Sequence, residues 1–343
     1  MTLLTETEAR ALVARAFCNA GVSSEAADHA ATGLVLAEMM GISTHGLSRV
    51  RVYVNRIRAG GIDPAARPKI RAPASALRHL DAANGLGPAI AQTALLTGME
   101  AARHAGMAGV FCHNANHLGA LAPYLWQAAE AGFACIITTN TSPMIAPTGG
   151  RAPMIGNNPL GIGIPNPGGV PVFLDMALSV AARSHVRAAL KDGRTIPETW
   201  ATDAEGTPTT DPAAAMRGLL QAIGGAKGAN LALSLDLLAA GLSGARMLGA
   251  VLPNADETPD QPQGLGQMFL LINTKMLLDD AALHDRMEAA GSAIAQSPSV
   301  VPSIQPRLPG ARAAAALWSA RQQGFTPNAA MLADLRRLAE PEG

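Results

Sequence analysis

Apolar residues recur at helical spacing through the first sixty positions, and beyond them short apolar runs are separated by glycine turns. Ala27, Ala31, Leu34, Val35 and Met39 share one helical face that Gly41 ends, and Leu47, Val50, Val54 and Ile57 form a second stripe stopped by Gly60 and Gly61. Thr5, and Ser23 or Ser24, stand where helix caps are needed. The pattern predicts helices across 5–60, the third starting near Ser43. From about residue 75 the rhythm changes. LRHLDAANGLGP reads as a strand and turn, AIAQTALLTGMEAARHAG as a helix, MAGVFCHN as a strand, ALAPYLWQAAEAG as a helix and FACIITTNTSP as a strand ending in a polar loop. Such alternation predicts a layered α/β domain.

The Pro/Gly-rich run 142–171 is too long to be structureless inside a compact domain, which marks it as functional. After VFLDMA (172–177) the pattern predicts a helix over 179–190, a loop to about 224 and an apolar helix opening at GGAKGANLAL. QMFLLIN then reads as a strand, 279–297 as a helix and 311–340 as helix again. The apolar stretch 231–252 contains Asp236 and Arg246, each costly at bilayer depth, so it reads as a buried helix followed by a turn and strand.

Composition narrows the function. Basic and acidic residues balance at 26 each, and three Trp, two Tyr and six Phe offer little stacking surface, which argues against a nucleic-acid partner. Cys18, Cys112 and Cys135 are too few and scattered for a disulfide framework and read as core residues in a reducing compartment. The N-terminal stretch lacks the unbroken apolar segment of a signal peptide, so a cytoplasmic protein without membrane attachment is expected.

Four segments carry candidate chemistry. NGLGPAIAQ (84–92) supplies Gly85 and Gly87 but has Ile90 at the third glycine position of a dinucleotide fingerprint, so a standard Rossmann site is unsupported. His113 and His117 have a spacing that suits zinc only on a helix; their segment reads as a loop after a strand, no third ligand is near, and no metal is expected. In THGLSR (44–49), His45 and Arg49 would lie one turn apart on a helix, an imidazole for proton transfer beside a guanidinium for a carboxylate; the plain alternative is a capped, solvated face. GGAKGAN lacks the P-loop spacing, yet Gly228, Ala229 and Asn230 at a helix start would offer amides to a phosphate, with Lys227 adding charge; the alternative is a turn with a surface lysine.

Taken in order, THGLSR, DAANGLGP, NHLGALAPY, PTGGRAPMIGNNP, LDMALS, IPETWATDAEGTPTTDP and GAKGANLAL resemble the type-2 malate/L-lactate dehydrogenase family, with its sulfolactate and ureidoglycolate dehydrogenases and its Δ1-piperideine-2-carboxylate and Δ1-pyrroline-2-carboxylate reductases. The likeness runs from about residue 3 to 325. It implies an α/β fold in which a non-Rossmann NAD(P)-binding layered domain (73–304) is joined by a helical domain built from 1–72 and 305–343. It implies NAD or NADP as cofactor, a small carboxylate substrate and a homodimer. Carried over by position, the resemblance makes His45 the proton donor or acceptor, with Thr44, Arg49, His117 and Asn157 toward the substrate. His117, Leu118, Gly119, Ala120 and Leu121 become a cofactor loop, joined by Asp175, Met176 and Ala177, by Arg183 and Ser184, and by Ala226, Lys227, Gly228, Ala229, Asn230 and Leu231. His185 falls where imine-reducing relatives place an aspartate beside the catalytic histidine, and PGAR (309–312) departs from the P-G-E of several relatives. A carboxylate there would raise and orient His45, which a second imidazole does not do by charge. The expected activity is therefore hydride transfer to or from the α-carbon of a small 2-oxo or 2-hydroxy acid. A cyclic imino acid reductase is the alternative, and a non-catalytic binding protein on the same fold is a third reading.

Overall fold

The computed structural model describes residues 3–252, 258–301 and 303–340. Helices α1 (Glu6–Asn19) and α2 (Ser24–Met39) begin where the caps stand: Thr5 and Glu8 form a reciprocal capping box, and Ser23 Oγ accepts from Ala26 N. The third helix differs from expectation. Ser43–His45 form a separate 3-10 turn, and α3 runs from Ser48 to Ala59, because Gly46 leaves helical geometry between them. A Cβ on Gly46 would collide with Glu38 of α2, so only glycine lets this loop lie against that helix.

Among the described residues, seven strands form one sheet in the order β1-β2-β3-β7-β4-β5-β6. They are β1 (Lys69–Ala74), β2 (Leu77–Asp81), β3 (Met107–Ala115), β4 (Phe133–Thr139), β5 (Leu160–Ile164), β6 (Val172–Met176) and β7 (Leu265–Asn273). Only β2 and β3 run parallel; every other pair is antiparallel. That topology departs from the parallel doubly wound sheet of a Rossmann domain. Helices α4 (Gly87–Ala105) and α5 (Ala122–Glu130) pack on the sheet and, with the N-terminal helices and the two helices that follow α9 (Asp280–Ala295), α10 (Ala311–Gln323) and α11 (Ala329–Ala339), bury one continuous core around Phe17, Tyr53, Leu95, Trp126 and Phe269.

A second, smaller core lies in the chain between β4 and β7. It gathers Ile145 and Ile155 from the Pro/Gly-rich run with residues of α6 (Arg183–Lys191), α7 (Pro212–Arg217) and α8 (Ala226–Asp236), among them Val186, Ala215 and Leu235. Asp236, fully buried, accepts from the amides of Asn140 and Asn158 at 3.4 and 3.3 Å, and burial pushes its carboxyl up. This network ties the end of β4 and the GNNP segment to α8. Beyond Asp236 the helix continues through a π turn at Leu237–Gly241 and then a 3-10 turn at Leu248–Ala250, so the strand expected within 231–252 is absent there. Leu237, Leu238 and Leu242 of this stretch are exposed, so the segment is one-sided and not the buried helix the sequence implied. No helix among the described residues is long and apolar enough to cross a membrane. Cys112 and Cys135 are buried, whereas Cys18 is exposed, against the expectation of a core residue.

Candidate active site

His45 and Arg49 meet, but not as neighbours on one helix. The Nε of Arg49 donates to the carbonyl of Thr44 at 2.7 Å across the 3-10 turn, and its two terminal nitrogens have no hydrogen-bond partner among the described residues. Thr44 Oγ1 lies 3.0 Å from His45 Nδ1, and Ser48 Oγ donates to the Ser43 carbonyl at 2.6 Å, closing the loop on itself. His45 is half-buried. Burial and, next, the Arg49 charge hold its pKa down to about 4.

Across from it stands His117, its ring centroid 5.5 Å from that of His45. Its Nδ1 is 2.7 Å from the Tyr53 hydroxyl and accepts from Gly119 N at 3.3 Å. A backbone N–H can only donate, so Nδ1 carries the lone pair and the ring proton sits on Nε2. Burial, followed by the charges of Arg49, His45 and Arg56, keeps His117 well below the usual histidine range, in keeping with a neutral ring. Its backbone N–H donates to Gln263 Oε1 at 2.9 Å, and the same oxygen accepts from Arg56 Nη1 at 3.0 Å. Arg56, almost wholly buried, also donates to Asn116 Oδ1 at 3.0 Å. The sequence reading missed Tyr53 and Arg56. Their signal was available: Arg49, Tyr53 and Arg56 lie at i, i+4 and i+7, one face of α3.

The glycines at 85 and 87 do not form a phosphate turn. Ala83 and Asn84 take the left-handed turn, and a Cβ on Gly87 would strike the carbonyl oxygens of His117 and Asn116. The start of α4 thus docks directly under the His117 backbone. Replacing Gly87 with Ala is expected to destabilise the fold by about 1–3 kcal/mol and to lower turnover with it, measured as a shifted urea midpoint together with initial rates.

The other expected residues lie on several separate elements. Leu118 and Leu121 are buried, so their side chains belong to the core. Asp175 Oδ2 accepts from Leu121 N and Ala122 N, both at 2.8 Å, so it fastens the start of α5 to the end of β6; burial, countered by these bonds, pushes its pKa up. Met176 and Ala177 follow it, half-buried. Asn157 Oδ1 accepts from Thr141 Oγ1 at 2.9 Å. Arg183 is the first residue of α6, donates to the Met216 carbonyl at 2.8 Å and precedes exposed Ser184. His185 tilts against Trp200 at 6.0 Å, and no bond or ring contact joins it to His45 within this chain. His113 lies inside β3 and stacks on His79 at 4.7 Å, apart from His117 in role.

At α8 the free amides belong to Ala226, Lys227 and Gly228, one step earlier than the sequence suggested, because Ala229 N already donates to the Gly225 carbonyl at 3.0 Å. Asn230 and Leu231 therefore sit inside the helix. Gly225 has φ 63° and a Cβ on Gly228 would overlap the Ile223 carbonyl, so the turn into α8 is a cradle that side chains would fill. A cleft of about 280 Å³ runs from it past Gln221 and Thr148 to Arg151. First-turn amides at the start of α8, a positive-φ glycine at its cap and the adjoining cleft fit an NAD(P) phosphate.

A family model for malate/L-lactate dehydrogenase matches residues 4–336. The chain is 34% identical to a Δ1-pyrroline-2-carboxylate reductase of Ancylobacter novellus, over 94% of this chain and 93% of the relative. It is likewise 34% identical to a (2R)-3-sulfolactate dehydrogenase (NADP(+)) of Chromohalobacter salexigens, over 89% of each. The sulfolactate dehydrogenase structure from Methanocaldococcus jannaschii superposes with a TM-score of 0.88 at 28% identity, covering 98% of this chain and 96% of that one. A whole-length family match, the mixed seven-stranded sheet and the His45–His117–Arg49 centre agree: the chain belongs to the malate/L-lactate dehydrogenase family of NAD(P)-dependent oxidoreductases.

Proposed function

We propose that the protein interconverts a small 2-oxo acid and its 2-hydroxy acid, with His45 as the proton donor and acceptor and Arg49 as the carboxylate clamp. The observation that carries this is the Arg49 side chain: its Nε is fixed to the Thr44 carbonyl while both terminal nitrogens are open among the described residues, beside a half-buried His45. A guanidinium so fixed presents a planar two-point donor to a carboxylate. When bound at the α8 cradle and the 117–121 loop, the nicotinamide cofactor supplies or receives the hydride at the α-carbon. His45 then gives a proton to the oxygen that becomes the hydroxyl, or takes it back in the reverse direction. His117, neutral with its Nε2–H, and Asn157 complete a polar wall.

The electrostatics favour a substrate that brings its own negative charge. Ligand-free, His45 is held down to about 4 by burial and Arg49, so it is neutral near pH 7. A carboxylate on Arg49 offsets the arginine's repulsion and moves His45 back toward its ordinary range. The same features serve a cyclic imino acid, which shares the carboxylate, and the 34% identity to a Δ1-pyrroline-2-carboxylate reductase favours that second reading. Against it stands His185 in place of an aspartate, packed on Trp200.

In this reading, residues 1–72 with 305–343 supply the substrate side and 73–304 the cofactor side; His45 and Arg49 come from the first and the α8 cradle from the second. A cytoplasmic homodimer completes it, and exposed Leu237, Leu238 and Leu242 offer an apolar face to a second copy. The test is a panel of NADH and NADPH oxidation rates against 2-oxo acids and cyclic imino acids. Turnover confined to oxo acids is the expected result, and turnover confined to imines overturns the choice.

A further inference from the structure

The smaller core carries a second cavity, about 240 Å³, which the His45 centre does not use. Three guanidinium side chains line it: Arg151 from the loop after β4, Arg183 at the start of α6 and Arg217 at the end of α7. Among the described residues no carboxylate lines it. Arg183 donates to the Met216 carbonyl at 2.8 Å, which holds its guanidinium against the end of α7. Arg151 and Arg217 have no hydrogen bond or ion pair with any described residue.

Of the acids of the same lobe, Glu198 and Glu205 are exposed and do not line the cavity, and three others are engaged elsewhere. Asp203 accepts from the backbone of Glu205 and Thr207, Asp211 caps α7 through Ala213 and Ala214, and Asp192 pairs with Arg194. Three like charges from three separate elements thus meet with no carboxylate among the lining residues, and a concave site of one sign concentrates counter-charge. Their fork-shaped donors match the several oxygens of a phosphate monoester.

Position says which phosphate. The cavity shares Arg151 and Leu219 with the neighbouring cleft that reaches Gly225 and Ala226. A ligand with one phosphoryl group at the α8 cradle and a second one ribose away would span both. We infer that Arg151, Arg183 and Arg217 form the pocket for the 2′-phosphate of NADP(H), so that this chain selects NADPH over NADH. The inference rests on the oxidoreductase reading and deepens it, adding Arg151 and Arg217 to the cofactor residues.

The test is calorimetric titration of the full chain with 2′,5′-ADP and 5′-AMP, probes that need no turnover. The wild type is expected to bind 2′,5′-ADP at least about tenfold more tightly, and Arg151→Ala and Arg217→Ala each to cut that ratio by about tenfold, with Arg217→Lys restoring part of it. Thermal melts of the same variants separate lost binding from lost folding, and the two single variants stand in for each other if one fails to fold. Equal binding of the two adenylates by the wild type, or an equal loss of both in the variants, overturns the proposal. Failure of the oxidoreductase reading looks different: neither NADH nor NADPH is turned over with any acid of the panel, while the adenylate ratio persists.

Discussion

Replacing His45 with glutamine is expected to lower kcat by about 10²- to 10⁴-fold, the range for removing a positioned general acid or base, while NAD(P)H binding, read by nucleotide fluorescence, changes little. Glutamine keeps the volume and one hydrogen-bonding end near Thr44 Oγ1 but cannot shuttle a proton at neutral pH. The pH profile of the wild type separates this role from a structural one. With His45 held down to about 4 in the free protein, kcat/KM for hydroxy-acid oxidation is flat above about pH 5 and falls as pH approaches 4, where the base becomes protonated. In His45→Gln that limb disappears. Unchanged turnover in the variant, or an acidic limb that survives it, would remove His45 from the mechanism.

Much of the framework is legible in the sequence because it follows local rules. The caps at Thr5 and Ser23, the stripe of α2 and the alternation from β2 through β4 all express periodicity or turn chemistry within a few residues. What escapes the sequence is set by contacts distant along the chain. Strand β5, LGIGI, hides in a Pro/Gly-rich run because its glycines make room for Leu121, Leu125 and Cys135, a packing demand that no β-propensity signals. Strand β1 is exposed along its whole length, so the alternation in Lys69–Ile70–Arg71–Ala72 marks no buried face.

The site divides in the same way. THGLSR marks itself by residue type, but the sequence places His45 and Arg49 on one helix, whereas Gly46 breaks the helix and Arg49 reaches back to the Thr44 carbonyl. The Arg56–Gln263–His117 relay joins residues separated by more than 140 positions, and the arginine trio is assembled by packing alone. Asp175 is a converse case: its motif points to a cofactor, and its side chain in fact fastens the loop that would face one.

Arg49→Met is expected to weaken kcat/KM for the carboxylate substrate by about 10²-fold or more, since each hydrogen bond to a charged group contributes about 1.5–3 kcal/mol and two are lost. Arg49→Lys is expected to recover only part of this, because an ammonium keeps the charge but neither the planar fork nor the Nε bond to the Thr44 carbonyl. A second readout concerns His45. Arg49 is the smaller of the two causes that depress it, so its removal leaves burial acting alone, and the pKa of His45 in the ligand-free protein moves up from about 4 toward 6.5. The sign for stability follows. A histidine protonated near 6.5 in the unfolded chain but only near 4 when folded makes the fold lose stability as pH falls through that window, and keeps its contribution intact above it. The Met variant narrows the window, so its urea midpoint should fall less steeply between pH 6.5 and 4 than that of the wild type. A titration of the His45 ring by NMR that stays put in Arg49→Met, together with unchanged kcat/KM, would place the carboxylate clamp elsewhere.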